Sequence, residues 1–328
     1  MKTIFRFILP LGVLGIVTCS KNNSSSQNVI IDSSNIFMAD PTMFYQDGKY
    51  YLSGTYEPDT RDGIRIFSSD NMHSFSNAGN KIVLKNGAAY GTDLYWAPQF
   101  WSNNGQANLL YTANEHIAYA TSSSIDGPFS GQNKPIIADR KNIDPFLYTD
   151  DDGKKYLFHV EFPDGTNRIY TALLNDDNSG IDESSNKVSI SPTERWETVM
   201  GKVTEGPTVL KHNGVYYLIY SANDFRSQSY AVGYATSTSI TGPWIKYSNN
   251  PILSKENTGY SGTGHGDVFT GADNQMYYIF HTHNSDSAVT PRKTAITRMF
   301  FEKNPAGGPD ILKMAIDEIF FPKVSIHN

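Results

Sequence analysis

Apolar and polar residues alternate along short runs bounded by Gly, Asn and Asp. From about residue 28 onward no stretch sustains a helical period or follows a cap with an amphipathic run. Tyr45-Gln46-Asp47-Gly48-Lys49-Tyr50-Tyr51-Leu52 sets an Asp-Gly pair between two aromatic runs. The arrangement returns around Asp152-Gly153, between Tyr148 and Phe158, around Asn213-Gly214, between Lys211 and Leu218, and again from Gly271 to Tyr278. Asp-Gly and Asn-Gly between apolar runs favour a type I′ turn, which needs positive φ at both central residues. Each copy therefore predicts two antiparallel strands.

A second signature, Ala120-Thr121-Ser122-Ser123-Ser124-Ile125-Asp126-Gly127-Pro128-Phe129, recurs as Ala235-Thr236-Ser237-Thr238-Ser239-Ile240-Thr241-Gly242-Pro243-Trp244. A weaker relative, Phe67 to Asp70 with His73-Ser74-Phe75, follows the first hairpin. The segments ahead of the hairpins are Asp40-Pro41, Ala97-Pro98, Asp144-Pro145, Glu205-Gly206-Pro207 and Gly264-His265-Gly266. Their spacings are 57, 47, 61 and, to His265, 60 residues. Repeats of this length with about four strands each predict an all-β, five-bladed β-propeller occupying residues 28–328 as one domain. A β-sandwich with coincidental hairpins is the alternative. In a propeller the innermost strands line a central channel, so their leading residues converge at one mouth. Three of those leaders are carboxylates, Asp40, Asp144 and Glu205, each next to or one residue from a proline that keeps its neighbour extended.

Composition sharpens this picture. Apolar residues make up 39%, charged residues 18% and aromatics 13%, which fits a globular chain whose rings suit pleated surfaces and the apolar faces of sugars. A net charge of −6 gives no footprint for nucleic acid. Lys2 and Arg6 precede an apolar run, Phe7 to Val17, too short to span a bilayer and proportioned as a signal peptide. It ends Ile16-Val17-Thr18-Cys19 and is similar to a bacterial lipoprotein signal. That similarity implies residues 1–19 as signal, lipidation at Cys19 and a polar tether over residues 20–27. The expected location is the outer membrane, cell surface or periplasm, with the lipid as the only membrane contact, and a monomer is expected. With one cysteine in the chain, disulfides and thiolate metal sites within it are excluded.

The stretches Ala39-Asp40-Pro41-Thr42, Tyr95-Trp96-Ala97-Pro98-Gln99, Ile143-Asp144-Pro145-Phe146, Thr204-Glu205-Gly206-Pro207-Thr208 and Gly264-His265-Gly266-Asp267, in that order, resemble glycoside hydrolase family 43. The resemblance implies inverting removal of arabinofuranosyl or xylosyl units, with Asp40 as general base, Glu205 as general acid and Asp144 orienting the acid and raising its pKa. Inversion needs two carboxyl groups roughly 6.5–9.5 Å apart, one ionised and one protonated. A third carboxylate near Glu205 disfavours its ionisation.

The expected activity is exo-acting release of α-L-arabinofuranosyl, or β-xylosyl, units from plant cell-wall glycans. The alternatives are a β-D-galactofuranosidase or endo-arabinanase of the same family, a retaining enzyme, and a non-catalytic glycan-binding propeller, which would need no matched acid and base. Phe44 and Trp96 adjoin the channel motifs and are candidates for sugar platforms. In the family a histidine at the place of His265 lies near a calcium ion, so His265 is a candidate for substrate or calcium contact, with a hydrogen-bonded structural histidine as the other reading. The chemistry itself needs no cofactor. Arg292 lies where the family supplies an arginine to the site, against the reading of a solvated loop arginine. His281 and His283 read as wall residues, and Trp101, Trp196 and Trp244 as packing residues. Where the family carries an acid after Trp-Ala-Pro, this chain has Gln99, and its subsites are expected to come from propeller loops.

Overall fold

Aromatic and β-branched residues flank each turn, and in the computed structural model, which describes residues 33–325, they pair into antiparallel hairpins that grow into four-stranded sheets. Asp47-Gly48 and Asn213-Gly214 take positive φ at both positions, as the type I′ geometry requires. Asn104-Gly105 does the same in a hairpin that the repeat signature did not mark. The turn at Asp152-Gly153 is longer, closed by the Gly153 N–H on the Asp150 carbonyl at 2.8 Å.

The first sheet runs outward through Met38–Gln46, Lys49–Tyr56, Gly63–Ser69 and Lys81–Lys85. The second contains Trp96–Asn103, Gln106–Ala113, His116–Ser122 and Ser130–Gly131, and the third Asn142–Thr149, Lys155–Glu161, Arg168–Leu173 and Lys187–Ile190. Thr204–His212, Val215–Ala222, Ala231–Ser237 and Ile245–Lys246 make the fourth. The fifth is Gly264–Thr270, Met276–Thr282, Lys293–Glu302 and Ile311–Met314. Second strands are buried almost end to end, because a sheet lies on each side of them. Apolar clusters fill the seams between successive sheets, and one joins Met38, Met43 and Leu52 of the first sheet to Phe269, Ile279 and Ile296 of the fifth. Thr294 ties that seam further, its hydroxyl donating to the Met38 carbonyl at 2.9 Å.

The all-β propeller is present, but the expected count of five is corrected: the described residues form six sheets. The sixth joins Ser33–Asn35, Lys323–Ser325 and Ser74–Ser76. Its strands are three residues long, mostly polar and paired across the chain without a tight turn, so the hairpin pattern carried no sign of it. The expected signal peptide, lipidation site Cys19 and tether lie outside the described residues.

One device repeats at the head of every inner strand of the four-stranded sheets. The register slips between Ala39 and Thr42, Trp96 and Gln99, Ile143 and Phe146, Glu205 and Thr208, and Gly264 and Asp267. At each slip one residue is left-handed: Asp40 at φ 48, Ala97 at 42, Asp144 at 56, Gly206 at 57 and His265 at 39. Proline follows four of them and Gly266 the fifth. These are bulges, which re-aim side chains at the end of a ladder.

Seams also carry polar clamps. Fully buried Glu197 accepts from Tyr220 Oη at 2.7 Å and from Lys246 Nζ at 2.6 Å, fixing the fourth sheet's short outer strand. Removing one partner of a buried pair leaves a charge uncompensated. Lys246→Met should therefore lower unfolding free energy by about 3 kcal/mol, read from the urea midpoint; a midpoint equal to wild type would show that the clamp contributes nothing.

Candidate active site

The bulges sort the mouth of the channel into two tiers. A cavity of about 440 Å3 is walled by the residues that precede three bulges, Trp96, Ile143 and Glu205, and by the deeper bulge residues Asp40, Asp144 and His265. Those deeper three also face the narrow channel beneath, with Gln99 and Asp267. Glu205 is thus not at the same register position as Asp40 and Asp144. Its counterpart in the repeat is Gly206, and Glu205 stands one residue outward. Glycine is required at 206, because a Cβ there would come within 2.8 Å of the His265 ring.

Asp40 is the most heavily countered carboxylate. Its Oδ2 accepts from Thr55 Oγ1 at 2.6 Å, and its Oδ1 accepts from Arg292 Nη1 at 3.2 Å and lies 3.3 Å from His265 Nδ1. Burial alone pushes its pKa up, but the Arg292 guanidinium, His265 and the Thr55 hydroxyl outweigh burial and hold the carboxyl well below the usual carboxylate range. His281 Nδ1 accepts the Asp40 N–H at 3.1 Å. Burial and then Arg292 keep His281 well below its ordinary pKa, so it acts there as a neutral acceptor.

The other two carboxyls move the opposite way. Asp144 is pushed up to about 8 by burial and by Asp40. Its Oδ2 accepts the Gly206 N–H at 3.2 Å and lies 3.7 Å from His265 Nδ1. Glu205 is pushed up to about 7 by burial and then by Asp144. Its Oε1 accepts from buried Tyr230 Oη at 2.8 Å, and its Oε2 accepts from Asn167 Nδ2 at 3.3 Å. One carboxyl is ionised, and the neighbouring pair gives up its protons in coupled steps near neutral pH, so that ionisation of Asp144 holds Glu205 protonated, a division suited to general base and acid.

Arg292 is buried, not a solvated loop residue: Nε donates to Glu57 Oε1 at 2.8 Å and the guanidinium lies 4.7 Å from the Phe225 ring centroid. Phe44 is the misplaced candidate. It stacks on Tyr51 at 5.1 Å in the seam of the first two sheets and does not line the cavity, because it follows the bulge by four residues and points into the packed strand. Gln99 bonds the Leu147 backbone in both directions, at 2.6 and 3.2 Å, joining the second and third sheets. His283 donates from Nε2 to the Phe225 carbonyl, 2.7 Å away, as a wall residue.

Calcium takes six to eight oxygen ligands. Beside His265, both oxygens of Asp267 are engaged by Thr42, Thr208 and the Val268 N–H. Among the described residues no group of three or more His, Cys, Asp or Glu is placed to hold a metal. The side chains around His265 do not fit a protein-built calcium cage.

Sequence reasoning missed Thr55, Glu57, Asn167, Phe225 and Tyr230. Thr55 had a signal: residues 15 or 16 positions after each bulge residue are Thr55, Thr112, Val160, Ser221 and His281, which stand opposite the residue before the bulge. Asn167 and Phe225 lie on connections with no repeat to mark them.

The model of the family described as glycosyl hydrolases family 43 matches residues 27–305. A solved structure described as an endo-1,4-beta-xylanase from Bacteroides thetaiotaomicron superposes with a TM-score of 0.82 at 38% identity, covering 90% of this chain and 99% of that one. A beta-D-galactofuranosidase of Aspergillus niger is 26% identical over 93% of this chain and 91% of its own length. A xylan 1,3-beta-xylosidase of a Vibrio species is 31% identical over 70% of this chain and 45% of its own.

The charge arrangement has a direct test. Arg292→Met leaves burial, the larger opposing influence, less opposed at Asp40, so the Asp40 pKa should rise into or above the ordinary carboxylate range. Carboxyl-carbon NMR of Asp40 through a pH titration reads the shift, and a carboxyl still ionised at the lowest accessible pH would show that Arg292 is not its counter-charge.

Proposed function

The chain belongs to glycosyl hydrolase family 43, and from that membership we propose an inverting hydrolase in which Asp40 activates water, Glu205 protonates the leaving oxygen and Asp144 tunes Glu205. That it is a glycoside hydrolase follows from the family. The observation that carries the assignment of roles is the opposed protonation of Asp40 and Glu205 in one cavity.

In this reading water lies against Asp40, whose charge is fixed by Arg292, and loses its proton to Asp40 as it attacks the anomeric carbon. Glu205 stands a tier further out, on the side of the departing sugar. Its Oε1 is held by Tyr230, and the longer Asn167 contact leaves Oε2 free to carry the transferred proton. Trp96 offers a ring to the C–H face of the bound sugar, and Arg292 and Glu57 offer hydrogen bonds to its hydroxyls.

A cavity of about 440 Å3 suits a short stretch of glycan. This favours release of a terminal unit, α-L-arabinofuranosyl first. A β-D-galactofuranosyl unit is the second reading, because it shares that ring stereochemistry and the relative matching 93% of the chain carries that activity in its name. Nitrophenyl arabinofuranoside, galactofuranoside and xyloside, followed by arabinan and xylan oligosaccharides, discriminate these readings. Turnover of xylan chains at internal bonds alone would remove the terminal-sugar assignment.

Asp40→Ala and Glu205→Ala should each cost at least about 10²-fold in kcat on natural linkages. Glu205→Ala should lose far less on dinitrophenyl glycosides, whose leaving group departs without a proton. Equal losses on both substrates would argue against Glu205 as the acid. The first-formed product anomer, followed by proton NMR, should be inverted.

For wild type, kcat/KM should fall as pH rises through about 7, when Glu205 gives up its proton. No Asp40 limb should appear in the ordinary carboxylate range, because its pKa is depressed. An acid limb near pH 4 that Arg292→Met leaves unmoved would contradict Asp40 as the base.

A further inference from the structure

Four of the five left-handed residues donate their N–H to a side chain on the second strand of the preceding sheet. Ala97 donates to Thr55 Oγ1 at 3.1 Å, Asp144 to Thr112 Oγ1 at 3.1 Å, His265 to Ser221 Oγ at 2.7 Å and Asp40 to His281 Nδ1 at 3.1 Å. Each acceptor occupies the same register position, opposite the residue before the bulge of its own sheet. The acceptors form a ring around the mouth that locks each bulge to its neighbour.

The third sheet breaks the ring. Its residue at that position, opposite Ile143, is Val160, fully buried in the seam that holds Val209 and Leu218 of the fourth sheet. A valine side chain has no acceptor. The N–H it leaves unclaimed is that of Gly206, and this N–H instead reaches Asp144 Oδ2.

We propose that Val160 is a positioning residue for the hydrolytic site, which by withholding an acceptor leaves the Gly206 N–H to hold the Asp144 carboxylate beside Glu205. The inference rests on the reading of Glu205 as acid and Asp144 as its tuner. A donor on a carboxylate favours the charged form, and Asp144 has few others. Facing it are Asp40, which repels its charge, Arg292, which favours it, His265 with Nδ1 3.7 Å from Oδ2, and Glu205, which competes for the same protons. A hydroxyl at position 160 would complete the ring, as Thr55, Thr112 and Ser221 do elsewhere, and take the Gly206 N–H away from Asp144. The first ionisation of the coupled pair would then shift from Asp144 toward Glu205, which loses the neighbouring charge that raises its pKa, and the acid would release its proton earlier.

The test uses the whole chain and two readouts. In wild type, the Gly206 amide nitrogen and proton shifts should follow the titration of Asp144; Val160→Thr should abolish that dependence, while Val160→Ala, which shortens the side chain without adding an acceptor, should keep it. Val160→Thr should also move the basic limb of kcat to lower pH and reduce kcat on natural linkages about tenfold, a fraction of what a general acid supplies. The loss on dinitrophenyl glycosides should be smaller, with KM little changed. A Gly206 amide that ignores Asp144 in wild type overturns the proposal even if Val160→Thr fails to fold. So does a Val160→Thr enzyme with the wild-type pH profile and leaving-group dependence. Full activity in Glu205→Ala on natural linkages would instead remove the reading of the acid, independently of whether the Gly206 amide follows Asp144.

Discussion

Everything at the mouth of this propeller depends on one backbone constraint, the left-handed bulge that opens each inner strand. A left-handed residue with a side chain costs roughly 1–2 kcal/mol, and Asp40, Ala97, Asp144 and His265 all adopt that conformation. The cost is offset locally, because the N–H of each of these four finds an acceptor across the seam. The bulge ends the regular alternation of the strand. It lets side chains at two successive positions, such as Ile143 and Asp144, face the same cavity, which an unbroken pleat forbids.

From that constraint follows the vertical order of the site. The bulge residues Asp40, Asp144 and His265 line both the cavity and the channel below, whereas Trp96, Ile143 and Glu205, each one residue ahead of a bulge, line only the outer space. Asp40 and Asp144 occupy the deep position and Glu205 the outer one. A repeat that placed all three carboxyls at the same position would hold them at one depth. The one-residue offset, with Gly206 filling the deep position, separates base from acid along the axis. Gly206 is also what leaves room for the His265 ring, which lies close to both Asp40 and Asp144.

Much of this is legible in the order of the amino acids. Asp-Gly and Asn-Gly turns with flanking aromatics mark the hairpins, and the recurrence of Asp-Pro or its relatives marks the inner strands. The sixth sheet is not legible there, because three-residue polar strands paired across nearly the full chain leave no local pattern. Nor is the offset of Glu205: Asp-Pro and Glu-Gly-Pro look interchangeable until the register slip shows which residue takes positive φ. Phe44 misleads for a related reason. Proximity in sequence to a channel motif says nothing about which side of the bulge a residue falls on, and Phe44 falls on the packed side.

The electrostatic asymmetry has its origin in which seam each carboxyl occupies. Asp40 heads the first sheet and meets the fifth, which brings Arg292, His281 and His265 against it; Glu57 then neutralises the remainder of Arg292 through Nε and Nη2. Glu205 heads the fourth sheet and meets the third, where burial and Asp144 outweigh the opposing pull of His265 and of the Tyr230 hydroxyl. Arg292 at the seam between the last and first sheets, with His265 and the Thr55 hydroxyl, therefore divides three buried carboxyls into one anion and a coupled pair with raised pKa values. An additional cation in the seam between the third and fourth sheets would erase the division by stabilising Asp144 and Glu205 as anions together, so the neutral character of that seam is as necessary to the site as the charge of the other.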